Sequence, residues 1–184
     1  MISERAKQAL NDMVLLSMRS ALVGSQDTVL SLEPVPDIAP VSEQEVVMLS
    51  VSTYQFRLMV LIYFNRDAVT RNHYAALTRV QSEHMDAQMF HDAIAERGNL
   101  CCGTLNRELG RVFEHIGMST PNMMDSRCAE HFSLLHYGHL QHFVLHLQSG
   151  VRLRASLCVT EYQDIDFELP TVEAPQSTGE LEFF

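Results

Sequence analysis

The stretch HDAIAERGNLCCGTLNREL, residues 91 to 109, decides how the rest of the chain is read. Wound as an α-helix at about 100° per residue, it gathers Asp92, Glu96, Asn99, Gly103 and Asn106 into an arc of roughly 80°. Phe90, Ile94, Cys101, Leu105 and Leu109, continued by Val112 and Ile116, fall on the opposite side, the stripe that a sheet would bury. Core and polar line are therefore separate. Asn99 and Gly103 are poor helix formers at mid-helix positions, where Ala, Glu or Lys would be better by about 0.5 to 1 kcal/mol each. Gly103 also removes bulk beside the line, so that a foreign backbone or a phosphate-bearing loop can come close. A carboxylate one turn from a carboxamide can hold a cationic group while the amide orients a water for in-line attack. The pattern includes no nucleophile and no metal of its own, so such a pair would complete the site of another protein.

Working outward, this helix is expected to begin near residues 82 to 86 and run to about His115, with Gly117 as its stop and Pro121 just beyond. Upstream, ISERAKQALNDMVLLSMRSALVG (2–24) places Ile2, Ala6, Leu10, Met13, Val14 and Ala21 on one helical face and ends in Gly24. Pro34, Pro36 and Pro40 then forbid helix and predict a connector or extended edge. Residues 45–64, EVVMLSVSTYQFRLMVLIYF, predict two strands meeting around Ser52 and Tyr54. The second is apolar almost throughout, as a central strand covered on both faces would be. Residues 65–80 read as a short helix or irregular segment. Between residues 131 and 162, strand-like alternation is broken by Gly138 and by a hairpin signal at Ser149-Gly150. Two long helices, each followed by strands, predict an α+β fold in which both pack on one face of a mainly antiparallel sheet. Residues 1–169 are read as one domain, and 170–184 as an acidic C-terminal tail.

Composition narrows the function classes. Thirteen basic residues against twenty-three acidic ones give a formal charge of −10, which argues against nucleic acid or an anionic membrane as partner. No run approaches the roughly 20 apolar residues of a membrane span, and the opening MISERAKQAL does not resemble a signal peptide, so a cytoplasmic location is expected. Cys101, Cys102, Cys128 and Cys158 form no C-x-x-C pair and read as reduced, buried residues. The inward direction of Cys101 argues against a nucleophilic role. His131, His136, His139, His142 and His146 crowd one segment, and on a strand His142 and His146 share a face. A neighbouring strand could complete a metal site there, but neither C-x-x-C nor H-E-x-x-H accompanies them. They are read as lining a half-exposed sheet face or an interface, and no metal is expected. An open strand or helix edge is compatible with a homodimer.

The segment DAIAERGNLCCG, with Asp92, Glu96, Asn99 and Gly103, resembles the D/S-x-x-x-E-x-x-N-x-x-x-G signature of the CheC/CheX/FliY chemotaxis phosphatases. GMSTPNMM (117–124) is similar to the serine-proline segment that follows that helix in CheX-like domains. The resemblance implies a CheX-like/CheC-like fold and a phosphatase of a phosphorylated CheY-type response regulator. Glu96 would pair with the regulator's lysine, Asn99 would orient the hydrolytic water, and the Mg2+ would belong to the regulator. Asp92, Gly103 and Asn106 would support the site or contact the partner, with Thr104 at the contact edge. The alternative is a non-catalytic module docking to a regulator or to a flagellar motor-switch component. Three departures stand out: Arg97 replaces a usually apolar residue beside Glu96, the first helix carries no E-x-x-N, and residues 45–64 contain no glycine. The second implies a single site, as in CheX-like proteins.

Overall fold

The computed structural model describes residues 1–169, so the expected tail at 170–184 lies outside the described residues. Helix α1 (Glu4–Leu22) leads into strands β1 (Val29–Val35), β2 (Glu45–Ser52) and β3 (Phe56–Phe64), then helices α2 (Ala68–Thr78) and α3 (Ala87–Leu109). Strands β4 (Gly117–Met118), β5 (Asn122–Asp125), β6 (His139–Leu147) and β7 (Arg152–Glu161) follow, with short 3-10 segments at Ser82–His84 and Ser126–Leu134. The sheet runs β1-β6-β7-β3-β2, with β4 and β5 both on the outer side of β2, and every pairing between these strands is antiparallel. The fold is α+β, as the sequence predicts.

Side-chain alternation explains the layering. Phe56, Leu58, Val60, Ile62 and Phe64 of β3 join the core beneath α1 and α3, while Leu61 and Tyr63 enter a second cluster on the other face. This two-sided burial is why β3 lacks the polar half of a strand pattern. The second face is covered by residues 36–44 and by the 3-10 segment, through Ile38 and Phe132. Buried Arg154 holds that cover: its guanidinium pairs with Glu43 and donates to the carbonyl of Ile38 at 2.6 Å and to Ser42 Oγ at 2.8 Å. Such a cation is tolerated inside only because its donors are used.

Several expectations need correction. The long helix ends at Leu109 rather than near His115, and Gly110, not Gly117, caps it. The apolar period continues through Val112 and Ile116, but the Phe113 ring lies edge-on between Phe56 (4.9 Å) and Phe167 (5.0 Å), which carries the chain off the helix axis. Gly117 instead starts β4. The proline-rich stretch, by contrast, does form the expected extended edge in strand β1, where Pro34 is placed opposite Phe143; an edge strand has one neighbour, so a missing N–H can face outward. Residues 131–134 are 3-10 helix, not strand.

Candidate functional site

Helix α3 is seated by contacts on its inner side. Asp86 caps its start by accepting from the amide of Met89 at 2.8 Å. At Gly98 the backbone comes so close to β2 that a Cβ would sit 2.9 Å from Leu49 Cδ1 and 3.4 Å from Val47. Phe90, Ile94, Cys101, Leu105 and Leu109 are buried around it. Burial pushes the Cys101 thiol up to about 12 and that of Cys102 to about 11, so neither is a thiolate near neutrality.

With that side fixed, the polar line faces outward. Asp92 and Glu96 are exposed, and Asn99 and Gly103 are half-buried. Asp92 accepts from Gln88 at 2.8 Å, one turn earlier. Glu96 and Asn99, by contrast, have no hydrogen-bond or ion-pair partner among the described residues. A Cβ at Gly103 would meet nothing within 4 Å. Thr104, beside the line, departs from expectation. Thr104 is only 6% exposed and belongs to the packed side, about 120° from Asp92 at helical spacing, which removes it from any contact edge. Asn106 is half-buried, with its side-chain oxygen enclosed and unpartnered.

Arg97, adjacent in sequence to Glu96, points elsewhere. Its guanidinium donates to the carbonyl of Leu77 at the C-terminal end of α2, where a cation meets the negative end of the helix dipole. It therefore ties α2 to α3 rather than pairing with Glu96. Sequence reasoning missed this tie and the seating role of Gly98; the signal for Gly98 was its position among Ile94, Cys101 and Leu105 on the apolar stripe.

The histidines do not converge. His142 Nδ1 lies 2.8 Å from Ser156 Oγ, itself 3.1 Å from the Tyr63 hydroxyl, and His139 Nε2 lies 2.8 Å from Asn11 Oδ1. Among the described residues, no three His, Cys, Asp or Glu side chains are grouped to share a metal ion. No helix among them is long and apolar enough to cross a membrane.

No protein-family profile matches the chain. No curated sequence shows significant similarity to it. Solved structures do match. CheX from Borrelia burgdorferi, determined as a CheX-CheY-BeF3-Mg+2 complex, superposes with a TM-score of 0.61 at 12% identity, over 84% of this chain and 97% of that one. The chain has the CheC/CheX/FliY fold. A CheC-like superfamily protein from Shewanella sp. PV-4 gives a TM-score of 0.56 at 12% identity over 83% of this chain and 96% of that one. CheX from Vibrio vulnificus gives 0.55 at 13% identity, over 83% and 97%. Within this CheX-like fold, α3 presents a carboxylate and a carboxamide on one outward face, a pair able to bind and orient but not to react alone.

Proposed function

We propose that this protein is a chemotaxis-type phosphatase that hydrolyses the aspartyl phosphate of a CheY-type response regulator in the cytoplasm. The observation that carries the proposal is that exposed Glu96 and half-buried Asn99 lie one turn apart on the outer side of α3, with neither side chain engaged among the described residues. Polar groups held on a rigid helix and left unpaired are free to work on a partner without first breaking an internal bond. The solved complex of a CheX with CheY, BeF3 and Mg+2 indicates what such a partner can be for a protein of this fold.

On this reading α3 enters the regulator's phosphoryl pocket. Glu96 accepts from the lysine there and fixes the register. Asn99 uses its carbonyl oxygen to accept from a water and its NH2 to donate to the phosphoryl group, so that the water lies in line with the breaking P–O bond. The regulator's Mg2+ would supply charge neutralisation at the phosphoryl oxygens, and this chain's part would be to bind and orient through Glu96 and Asn99. Phosphate leaves and the regulator's aspartate is regenerated.

The test is dephosphorylation of acetyl-phosphate-loaded regulators from the same organism, with wild-type protein beside Asn99→Ala. Acceleration that vanishes in the variant supports the reading. Acceleration that survives it places the chemistry elsewhere. Binding of a phosphorylated regulator without faster turnover would make the protein a docking module.

A further inference from the structure

The second face of the sheet gathers sulfur. Side-chain alternation sends Met48 of β2 and Met59 of β3 to that face, away from Val47, Leu49, Leu58 and Val60 in the core beneath the helices. Met48 stands opposite Leu61 and Asn122, Met59 opposite Ser50, and Met124 of β5 opposite Val46. Met59 and Met124 are therefore diagonal neighbours of Met48 on either side, and diagonal partners about 7–8 Å apart remain within reach of long side chains. Above them runs the 3-10 segment Ser126–Leu134, in which residues three apart eclipse, so Cys128 and His131 share one side. All five side chains line one open pocket of about 190 Å3, and the rest of its lining is aliphatic and aromatic.

Methionine ordinarily fills an irregular gap rather than bordering one. Here three thioethers edge a cavity that stays open, beside a thiol and an imidazole. The donor set decides which ion it suits. Zinc takes Cys, His, Asp and Glu ligands, and only two of the five donors are of those kinds. Thioethers and thiolates select Cu(I) instead, and imidazole suits copper too. Charge agrees with the donors. Burial holds the Cys128 thiol above its ordinary value, and the Asp125 carboxylate pushes the same way, so it stays protonated until a metal displaces the proton. One monovalent cation in and one proton out leave a neutral thiolate complex, which an apolar pocket tolerates far better than the surplus charge of a divalent ion. Met124 and His131 are exposed, so an ion has a way in. We propose that Met48, Met59, Met124, Cys128 and His131 form a Cu(I) site, with Cys128 as thiolate among thioether and imidazole partners, that pins the 3-10 segment to the sheet. The site lies on the opposite face of the sheet from α3 and does not depend on the reading of Glu96 and Asn99.

The test is a competition titration. Reduced protein is titrated anaerobically with Cu(I) against a colorimetric Cu(I) chelator, for wild type, Cys128→Ser, the double variant Met48→Leu/Met124→Leu, and Met123→Leu, whose side chain lies on the other face, opposite Val47. Wild type should hold one ion per chain and melt higher with Cu(I) than without, as binding to the folded state requires. Cys128→Ser should weaken binding by more than the roughly 10–100-fold that loss of an outer-shell partner costs. The leucine pair nearly conserves volume, so it should keep the metal-free thermal midpoint while raising the Kd for Cu(I) about tenfold. Met123→Leu should change neither. Wild type that leaves all the Cu(I) with the chelator overturns the proposal. So does uptake undiminished in Cys128→Ser, which would assign the ion to another cysteine. A Kd unmoved by the leucine pair would make the thioethers plain packing and overturn it as well. Zn2+ held as tightly as Cu(I) would show that thiolate and imidazole suffice, and the soft-ion assignment would fall.

Discussion

Gly98 and Gly103 lie on one helix, five residues apart, and exist for opposite reasons. Inside, Gly98 has no room for a Cβ: Leu49 and Val47 of β2 occupy the space. Outside, a Cβ on Gly103 would touch nothing. Each residue weakens the helix by about 1 kcal/mol relative to alanine. For Gly98, close packing of α3 on the sheet returns that cost. For Gly103 no contact within the described residues returns it. The inner face of α3 answers to the sheet, and the proposed function gives the outer face to a partner.

The sharpest test of that division is Asn99→Ala. If the outer face serves a partner alone, turnover of the phosphorylated regulator should fall about 100-fold, the usual scale for losing one group that positions the reacting atoms. Stability to urea should change by no more than about 0.5 kcal/mol. A loss above about 2 kcal/mol would show Asn99 to be part of the packed side and erase the distinction. On the inner face the expectation reverses. Gly98→Val should cost about 1–3 kcal/mol in urea unfolding, because Leu49 is fully buried and cannot withdraw freely. A fully stable Gly98→Val would mean that α3 can lift off the sheet.

Titration separates packed groups from exposed ones in another way. Burial holds His73, His139 and His142 below the ordinary histidine value of about 6.5. His73 is packed where α2 meets the end of α1, its Nε2 2.9 Å from the carbonyl of Leu22 and its Nδ1 3.7 Å from Asp27. Between the unfolded and folded pKa values the unfolded chain binds protons that the fold refuses. Stability therefore falls as pH drops below about 6.5 and is fully present above it. Urea midpoints at pH 7.5 and 5.5 should differ in that direction, and His73→Gln should reduce the difference. An equal midpoint at both values would show that these rings protonate without strain. Alkylation offers a parallel check: Cys101 and Cys102, pushed up to about 12 and about 11, should react at pH 8 only after unfolding.

How much of this was legible in the sequence follows from which interactions are periodic. The 3.6-residue stripe of α3 and the unbroken apolar run of β3 state their own burial, and the fold class follows from them. The separation of Glu96 and Asn99 from the core was legible for the same reason. What covers the second face of the sheet was not. Residues 36–44 and Ser126–Leu134 carry no repeat, and they are held by aperiodic contacts, Arg154 with Glu43 and the Phe132 ring 6.3 Å from that of His142. The end of α3 was misplaced because Val112 and Ile116 keep the helical period while tertiary packing of Phe113 ends the helix earlier. Thr104 was placed at a contact edge although its angle of about 120° already assigned it to the inner side.

The smallest effect discriminates best. Gly103→Ala adds one methyl group in open space on a helix, so structure alone predicts a gain of about 0.5–1 kcal/mol in stability. If the outer face were merely solvated, that gain would come without consequence and the glycine would have no reason to be there. If a regulator's backbone closes over this position, the methyl obstructs it: the variant should melt higher and yet bind the beryllium fluoride-loaded regulator more weakly, by a few-fold. Stability and affinity moving in opposite directions from a single methyl cannot arise from damage to the fold, because the fold has improved. A variant that is more stable and binds as well as wild type would leave Gly103 without a function and confine the contact to Glu96 and Asn99.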